Sequence, residues 1–213
     1  MIIAIDGPAG SGKGTVASII SKKLHYINID TGAMYRCVAL VMLENNIKLE
    51  EVDKIHEILD KISIDFSAGN VLLNGRNVSK EIRSVEVSNF VSPVSTIDFV
   101  REKMVQIQQK LGKNKDVVME GRDIGTVVFP NADLKIYLDA TPEERARRRL
   151  EQNLRNNIVS NYEQILEDIK ARDYRDSTRK ISPLKRADDA IIIDSTNLNI
   201  KEVVNKILQL VKK

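Results

Sequence analysis

Tryptophan is absent from the 213 residues, and four phenylalanines and five tyrosines are the only other large aromatics. A surface that stacks single-stranded nucleic acid needs aromatics among its basic residues, and the most basic stretch of this chain offers only Tyr162 and Tyr174. The formal net charge of +3 is also too small to demand nucleic acid as a partner. The single cysteine, Cys37, cannot close an internal disulfide, which suits a reducing compartment. Both histidines, His25 and His56, fall where surface residues are expected, on the tail of a predicted helix and in a predicted insertion. No apolar run approaches the length needed to span a bilayer, and no signal peptide stands ahead of the first strand as the sequence is written. A cytoplasmic protein with no membrane partner is expected. Low-complexity segments and internal repeats are missing too. What remains, 42% hydrophobic and 30% charged, is the composition of a globular domain long enough for one α/β unit with an insertion.

The most informative stretch is Gly7-Pro8-Ala9-Gly10-Ser11-Gly12-Lys13-Gly14-Thr15. It follows the apolar run Ile2-Ile3-Ala4-Ile5, which reads as a buried parallel strand, and precedes residues 16–24, which have helical periodicity. A strand, a glycine turn and a helix start together make a phosphate-binding loop. Its glycines let successive N–H groups turn toward phosphate oxygens, and the helix adds the positive end of its dipole. Lys13 supplies a mobile full charge for the β and γ phosphates of a nucleotide. The spacing G-x-x-x-x-G-K is complete, but Gly14 stands where Ser or Thr is usual, so the hydroxyl able to meet magnesium comes one place later, at Thr15. A dinucleotide-binding turn is disfavoured, because the glycines run G-x-G-x-G.

Further strands are expected at residues 26–30, 117–119, 134–138 and 190–193, and helices at 32–44, 49–62 and 98–111. Residues 64–66 and 71–73, separated by Ser67-Ala68-Gly69-Asn70, suggest a hairpin, followed by short helical pieces at 79–83 and 85–91. This mixed segment reads as an insertion between βα units. Glu120, at the end of a buried strand, suits a magnesium-holding or water-positioning acid. Thr141-Pro142-Glu143-Glu144 starts another helix, and Asn199 with Glu202 starts the last. Between residues 143 and 186 twelve Lys and Arg face eight Asp and Glu. Arg145 and Arg149 share one helix face, and Arg172, Arg175 and Arg179 follow at spacings of three and four on a second helix. Two such helices suit a lid that closes on a polyphosphate.

Taken together, G-P-A-G-S-G-K-G-T, D-T-G-A-M-Y-R at residues 30–36, G-R-D-I-G-T-V-V-F-P at 121–130, R-D-Y-R-D-S-T-R at 172–179 and S-P-L at 182–184 closely resemble the bacterial cytidylate kinase family. That family belongs to the nucleoside monophosphate kinases, in which the G-K-G-T form of the loop is at home. The resemblance covers essentially the whole chain and implies an α/β P-loop kinase, with a central parallel sheet flanked by helices, over residues 1–213. It implies an inserted monophosphate-binding lobe at 39–105 and a mobile helical lid at 144–178. The implied reaction moves the γ-phosphoryl of MgATP to CMP or dCMP, with Mg2+ as cofactor and a monomer as the working form. Carried over by motif, residues 7–15 with Arg145 and Arg149 bind ATP, and Thr15 meets the magnesium. Thr31, Tyr35, Arg36, Ser92, Arg101, Arg122, Asp123, Asp176 and Arg179 bind CMP. Lys13, Arg122, Arg172 and Arg175 act on the transferring group. Ala9 departs from relatives that carry a serine able to touch the acceptor phosphate. Other acceptors, such as UMP, shikimate or dephospho-coenzyme A, are the nearest rival readings. A GTP-dependent switch lacks its N-K-x-D and D-x-x-G elements, although Asn114-Lys115-Asp116 comes close. A nucleotide-regulated RNA-binding protein is the third alternative.

Overall fold

A run of residues with no polar face to offer water belongs in the middle of a sheet, and Ile3, Ala4 and Ile5 are fully buried there. In the computed structural model, which describes residues 1–67 and 69–211, strand β1 is Ile2–Asp6 and runs into helix α1 (Lys13–Leu24). Strand β2 (Ile27–Asp30) leads to helices α2 (Thr31–Glu44) and α3 (Val52–Lys61). A small antiparallel sheet follows, β3 (Ile64–Ser67), β4 (Asn70–Leu73) and β5 (Arg76–Asn77), then a 3-10 turn and helices α4 (Val85–Val94) and α5 (Asp98–Gly112). Strands β6 (Val117–Gly121) and β7 (Leu134–Asp139) return to the main sheet, with a π-helical turn, Ile124–Val128, between them. Helices α6 (Pro142–Arg155) and α7 (Tyr162–Thr178), strand β8 (Ile191–Asp194) and helix α8 (Ile200–Val211) complete the chain.

The main sheet has the order β2-β6-β1-β7-β8. Parallel register sets Asp6 opposite Gly121 on one side and Tyr137 on the other, so the ends of β1, β6 and β7 are level. The contacts divide the chain into two compact units, Met1–Ile27 with Lys115–Lys213, and Asn28–Asn114. In the first, Ile3, Ile5, Val16, Ile20, Ile136, Leu138, Val203 and Ile207 form one apolar core between the sheet, α1 and α8. Burying each such side chain stabilises the fold by about 2 kcal/mol, which holds the loop after β1 on a stiff base. Helices α6 and α7 pair around a much smaller cluster, Ala146, Ile165 and Ile169. In the second unit most of α2 is buried, and burial pushes the Cys37 thiol up to about 12, so it is no nucleophile at neutral pH. Among the described residues no helix is long and apolar enough to cross a membrane.

Boundaries differ from the sequence expectations where side chains intervene. Helix α3 starts at Val52 rather than at residue 49, because the Glu51 carboxylate accepts the Lys48 N–H at 2.9 Å and turns the chain there. Helix α4 runs past residue 91 to Val94, with Pro93 in its last turn, where a missing N–H costs one hydrogen bond at most. Of the expected 79–83 piece only Glu81–Arg83 is helical, as a single 3-10 turn. Strands β3 and β4 extend to Ser67 and from Asn70, and Ala68 of the hairpin loop lies outside the described residues.

Candidate active site

The phosphate loop is shaped by contacts that exclude side chains. At Gly7, φ is +149°, and a Cβ would lie 2.0 Å from the Leu138 carbonyl oxygen of β7. At Gly14 a Cβ would meet Glu120 Oε1 at 3.3 Å, which brings this carboxylate close to the loop. Lys13 is buried and curls over its own loop, its Nζ donating to the Pro8 carbonyl at 2.7 Å and to Ser11 Oγ at 3.5 Å. Burial, helped by the nearby Arg122 charge and opposed by Glu120 and Asp6, pulls this ammonium down to about 7.

That value predicts a proton linkage. An unfolded chain, with lysine at its ordinary 10.5, holds this proton between pH 7 and 10.5 while the folded protein does not, so the Lys13 contribution to stability rises with pH across that window. A polyphosphate in the loop favours the charged form and restores the proton. Nucleotide binding at pH 8 should therefore take up a proton, and affinity should fall by up to about tenfold per unit above pH 7. Calorimetry in buffers of different ionisation enthalpy checks this; binding without proton uptake contradicts it.

Beyond β6 a second set of charges gathers within the same unit. Arg122 Nε donates to Asp176 Oδ2 at 2.9 Å. Burial alone would pull this guanidinium down, but Asp176 and Glu120 together hold it above its ordinary value. Burial would likewise raise the Asp176 carboxyl, yet Arg122, Arg172 and Arg179 hold it low. Arg179 Nη1 reaches Asp176 at 3.5 Å, its Nη2 lies 4.0 Å from Asp123 Oδ1, and its Nε donates to the Ser182 carbonyl at 2.7 Å. Arg122, Asp123, Asp176 and Arg179 thus form one alternating network around the buried Asp123 and Asp176. It can hold an anion and a polar ring edge at once.

The expected lid residues divide. Arg145 is buried and fully engaged: Nε donates to the Ala140 carbonyl at 2.9 Å, Nη1 to the Ala9 carbonyl of the phosphate loop at 2.9 Å, and Nη2 to Asp173 at 2.6 Å. Arg149 and Arg175 are exposed, and Arg149 donates to Gln152 at 3.2 Å. Arg172 is half-buried. Two further participants, Arg148 and Asp6, belong to no motif, and Asp173 is given no role by the one that contains it. Asp173 anchors Arg145; Arg148 donates to Ser195 Oγ at 3.1 Å; Asp6 holds the backbone after β6. Only their hydrogen bonding, and for Asp6 its burial, marks them, and neither is periodic along the chain.

The second unit has a set of its own. Asp30 caps α2 by accepting the Ala33 N–H at 2.9 Å, and Thr31 beside it is buried. Arg36 Nη1 donates to Ser88 Oγ at 2.8 Å and to the Ile82 carbonyl at 3.3 Å. The Arg101 guanidinium sits over the buried Tyr35 ring, 5.1 Å from its centre, and donates to the Ser95 carbonyl at 3.1 Å. Ser92 lies one turn before Ser95 in α4 and is half-buried.

Among the described residues no three His, Cys, Asp or Glu side chains form a cage for a metal. The available donors are the exposed Thr15 hydroxyl in the first turn of α1 and the Glu120 carboxylate facing Gly14. They suit a magnesium ion that takes most of its ligands from phosphate oxygens and water.

The cytidylate kinase family model matches residues 3–213. The chain is 54% identical to the cytidylate kinase of Caldicellulosiruptor saccharolyticus, over 98% of this chain and 94% of that protein. It is 49% identical to the cytidylate kinase of Fusobacterium nucleatum, over 100% and 98%. Among solved structures, a shikimate kinase from Bacteroides thetaiotaomicron shares the fold, with a TM-score of 0.51 and 12% identity over 100% of this chain and 99% of that one.

Proposed function

Because the chain belongs to the cytidylate kinase family, we propose that it moves the γ-phosphoryl of MgATP to CMP or dCMP, giving ADP and CDP or dCDP. The observation that supports this most is the largely buried Arg122, Asp123, Asp176 and Arg179 network at the end of the strand beside the phosphate loop. Residues 7–15 would wrap the donor phosphates, with Arg149 reaching the donor and Arg145 fixing the loop through Ala9. Arg122 would take the acceptor phosphate. Asp123 accepts what the cytosine N4 amine donates, and Asp176 and Arg179 serve ribose and base. The unit Asn28–Asn114, which contains residues 39–105, would act as the monophosphate lobe through Thr31, Tyr35, Arg36, Ser92 and Arg101. Helices α6 and α7, spanning 144–178, would be the lid.

The chemistry asks little of a base. The attacking group is a phosphate oxygen already ionised at neutral pH, and both histidines are exposed. As the γ-phosphorus leaves the bridging oxygen of ADP and bonds to the CMP phosphate, negative charge spreads over both. Lys13, Arg122, Arg172 and Arg175 are the groups that neutralise it, and they hold donor and acceptor in line. Magnesium, held by Thr15 and Glu120 with phosphate oxygens, would supply further positive charge. Lid closure excludes water, which competes as acceptor.

Asp123→Ala tests the acceptor half. Losing a charged hydrogen bond to N4 should lower kcat/KM for CMP by about a hundredfold and for UMP by no more than about threefold. Equal losses for every monophosphate would contradict base reading by Asp123.

A further inference from the structure

Asp6 ends β1, next to Gly7 of the phosphate loop, and is buried. Its Oδ1 accepts the Ile124 N–H at 2.9 Å and its Oδ2 accepts the Gly125 N–H at 2.7 Å. These donors directly follow Arg122 and Asp123 and open the π-helical turn. The turn is bonded back to the same place, since the Asp123 carbonyl accepts the Val127 N–H at 2.9 Å and the Val128 N–H at 3.2 Å. Lys135 packs against the same residue: a Cβ on Gly125 would meet Lys135 Cδ at 3.1 Å and Asp6 Oδ2 at 3.4 Å. Lys135 is itself fixed, donating to both Asp189 oxygens at 2.8 Å. Asp6 and Lys135 thus both crowd the place a Gly125 side chain would take.

We propose that Asp6 is a positioning residue for acceptor recognition: by holding the Ile124 and Gly125 N–H groups, it fixes the direction in which Arg122 and Asp123 leave β6. The inference rests on the acceptor-reading role assigned above to Asp123. Burial pushes the Asp6 carboxyl up to about 6, against the pull of the two N–H groups, so at neutral pH it is mostly the carboxylate that can accept from both. An amide cannot do this, since its NH2 would face one of the two donors.

The test is Asp6→Asn, assayed with CMP and UMP beside the parent, Asp123→Ala and the double variant. Asp6→Asn should raise the KM for CMP and lower CMP-over-UMP discrimination, each by about tenfold, with the KM for ATP and the magnesium dependence within about threefold. In the Asp123→Ala background it should cost less than about twofold more discrimination, because both act on one contact. Parallel rises in the KM for ATP and CMP, or additive losses in the double variant, would overturn the proposal. Should Asp6→Asn not fold, Lys135→Met, which frees from Asp189 the side chain packed beside Asp6 on the same turn, is expected to reduce discrimination; unchanged discrimination overturns the proposal. The parent alone reports on the kinase reading, since a parent that does not favour CMP removes both inferences, whereas a discriminating parent isolates Asp6.

Discussion

Lys13→Ala should lower kcat by about a thousandfold, roughly 4 kcal/mol in the barrier, while the thermal midpoint moves by only a few degrees. The two halves of this result have one cause. Lys13 is buried, and burial pulls its ammonium down to about 7, so the folded protein gains little from keeping it. The bond it forfeits is one to the Pro8 carbonyl, with a longer contact to Ser11. Once phosphates occupy the loop, the same amine would become a full charge, and under the proposed lid a charge opposite a migrating phosphoryl would count most. Single-turnover assays at saturating ATP and CMP, beside thermal melts, check both halves. Retained turnover would remove Lys13 from the mechanism; a large loss of stability would make its role structural.

Gly7→Ala should act the other way, on folding first. The added Cβ would lie 2.0 Å from the Leu138 carbonyl oxygen and 3.0 Å from its carbon, both backbone atoms of a strand hydrogen-bonded on two sides. Neither atom can step aside as a flexible side chain would, and φ at +149° is itself poorly suited to alanine. A destabilisation of about 3–5 kcal/mol is expected, with activity falling in step with the folded fraction. Urea unfolding followed by fluorescence of the tyrosines checks it, and a variant as stable as the parent would contradict the tight apposition of loop and β7.

The contrast shows what was legible in the chain. Lys13 and its glycines stand within seven residues of one another, so strand, turn and helix start could be read as one local pattern. The helix caps were equally local: Thr141 accepts the Glu144 N–H, while Asn199 and Glu202 bond each other's backbone N–H groups. Motif resemblance found Arg122, Asp123, Asp176 and Arg179, which do form one network. The supports behind them were not legible. Asp6 reaches Ile124 across 118 positions, and Arg145 reaches Ala9 across 136. Such contacts exist only once parallel strands are aligned, and a lone Asp after an apolar run carries no periodicity to announce them. The π-helical turn stayed hidden for the same reason, since it is held by Asp6 from another strand. Arg145 was read as a lid arginine because its helix face is basic. Its three bonded nitrogens show that this side chain braces the phosphate loop.

The most direct measurement follows labelled phosphate from MgATP to a panel of acceptors: CMP, dCMP, UMP, shikimate and dephospho-coenzyme A. The account predicts ADP and CDP, or dCDP, in equal amounts, with CMP and dCMP consumed in preference to the others. No diphosphate from CMP or dCMP, while another acceptor is readily phosphorylated, would contradict it.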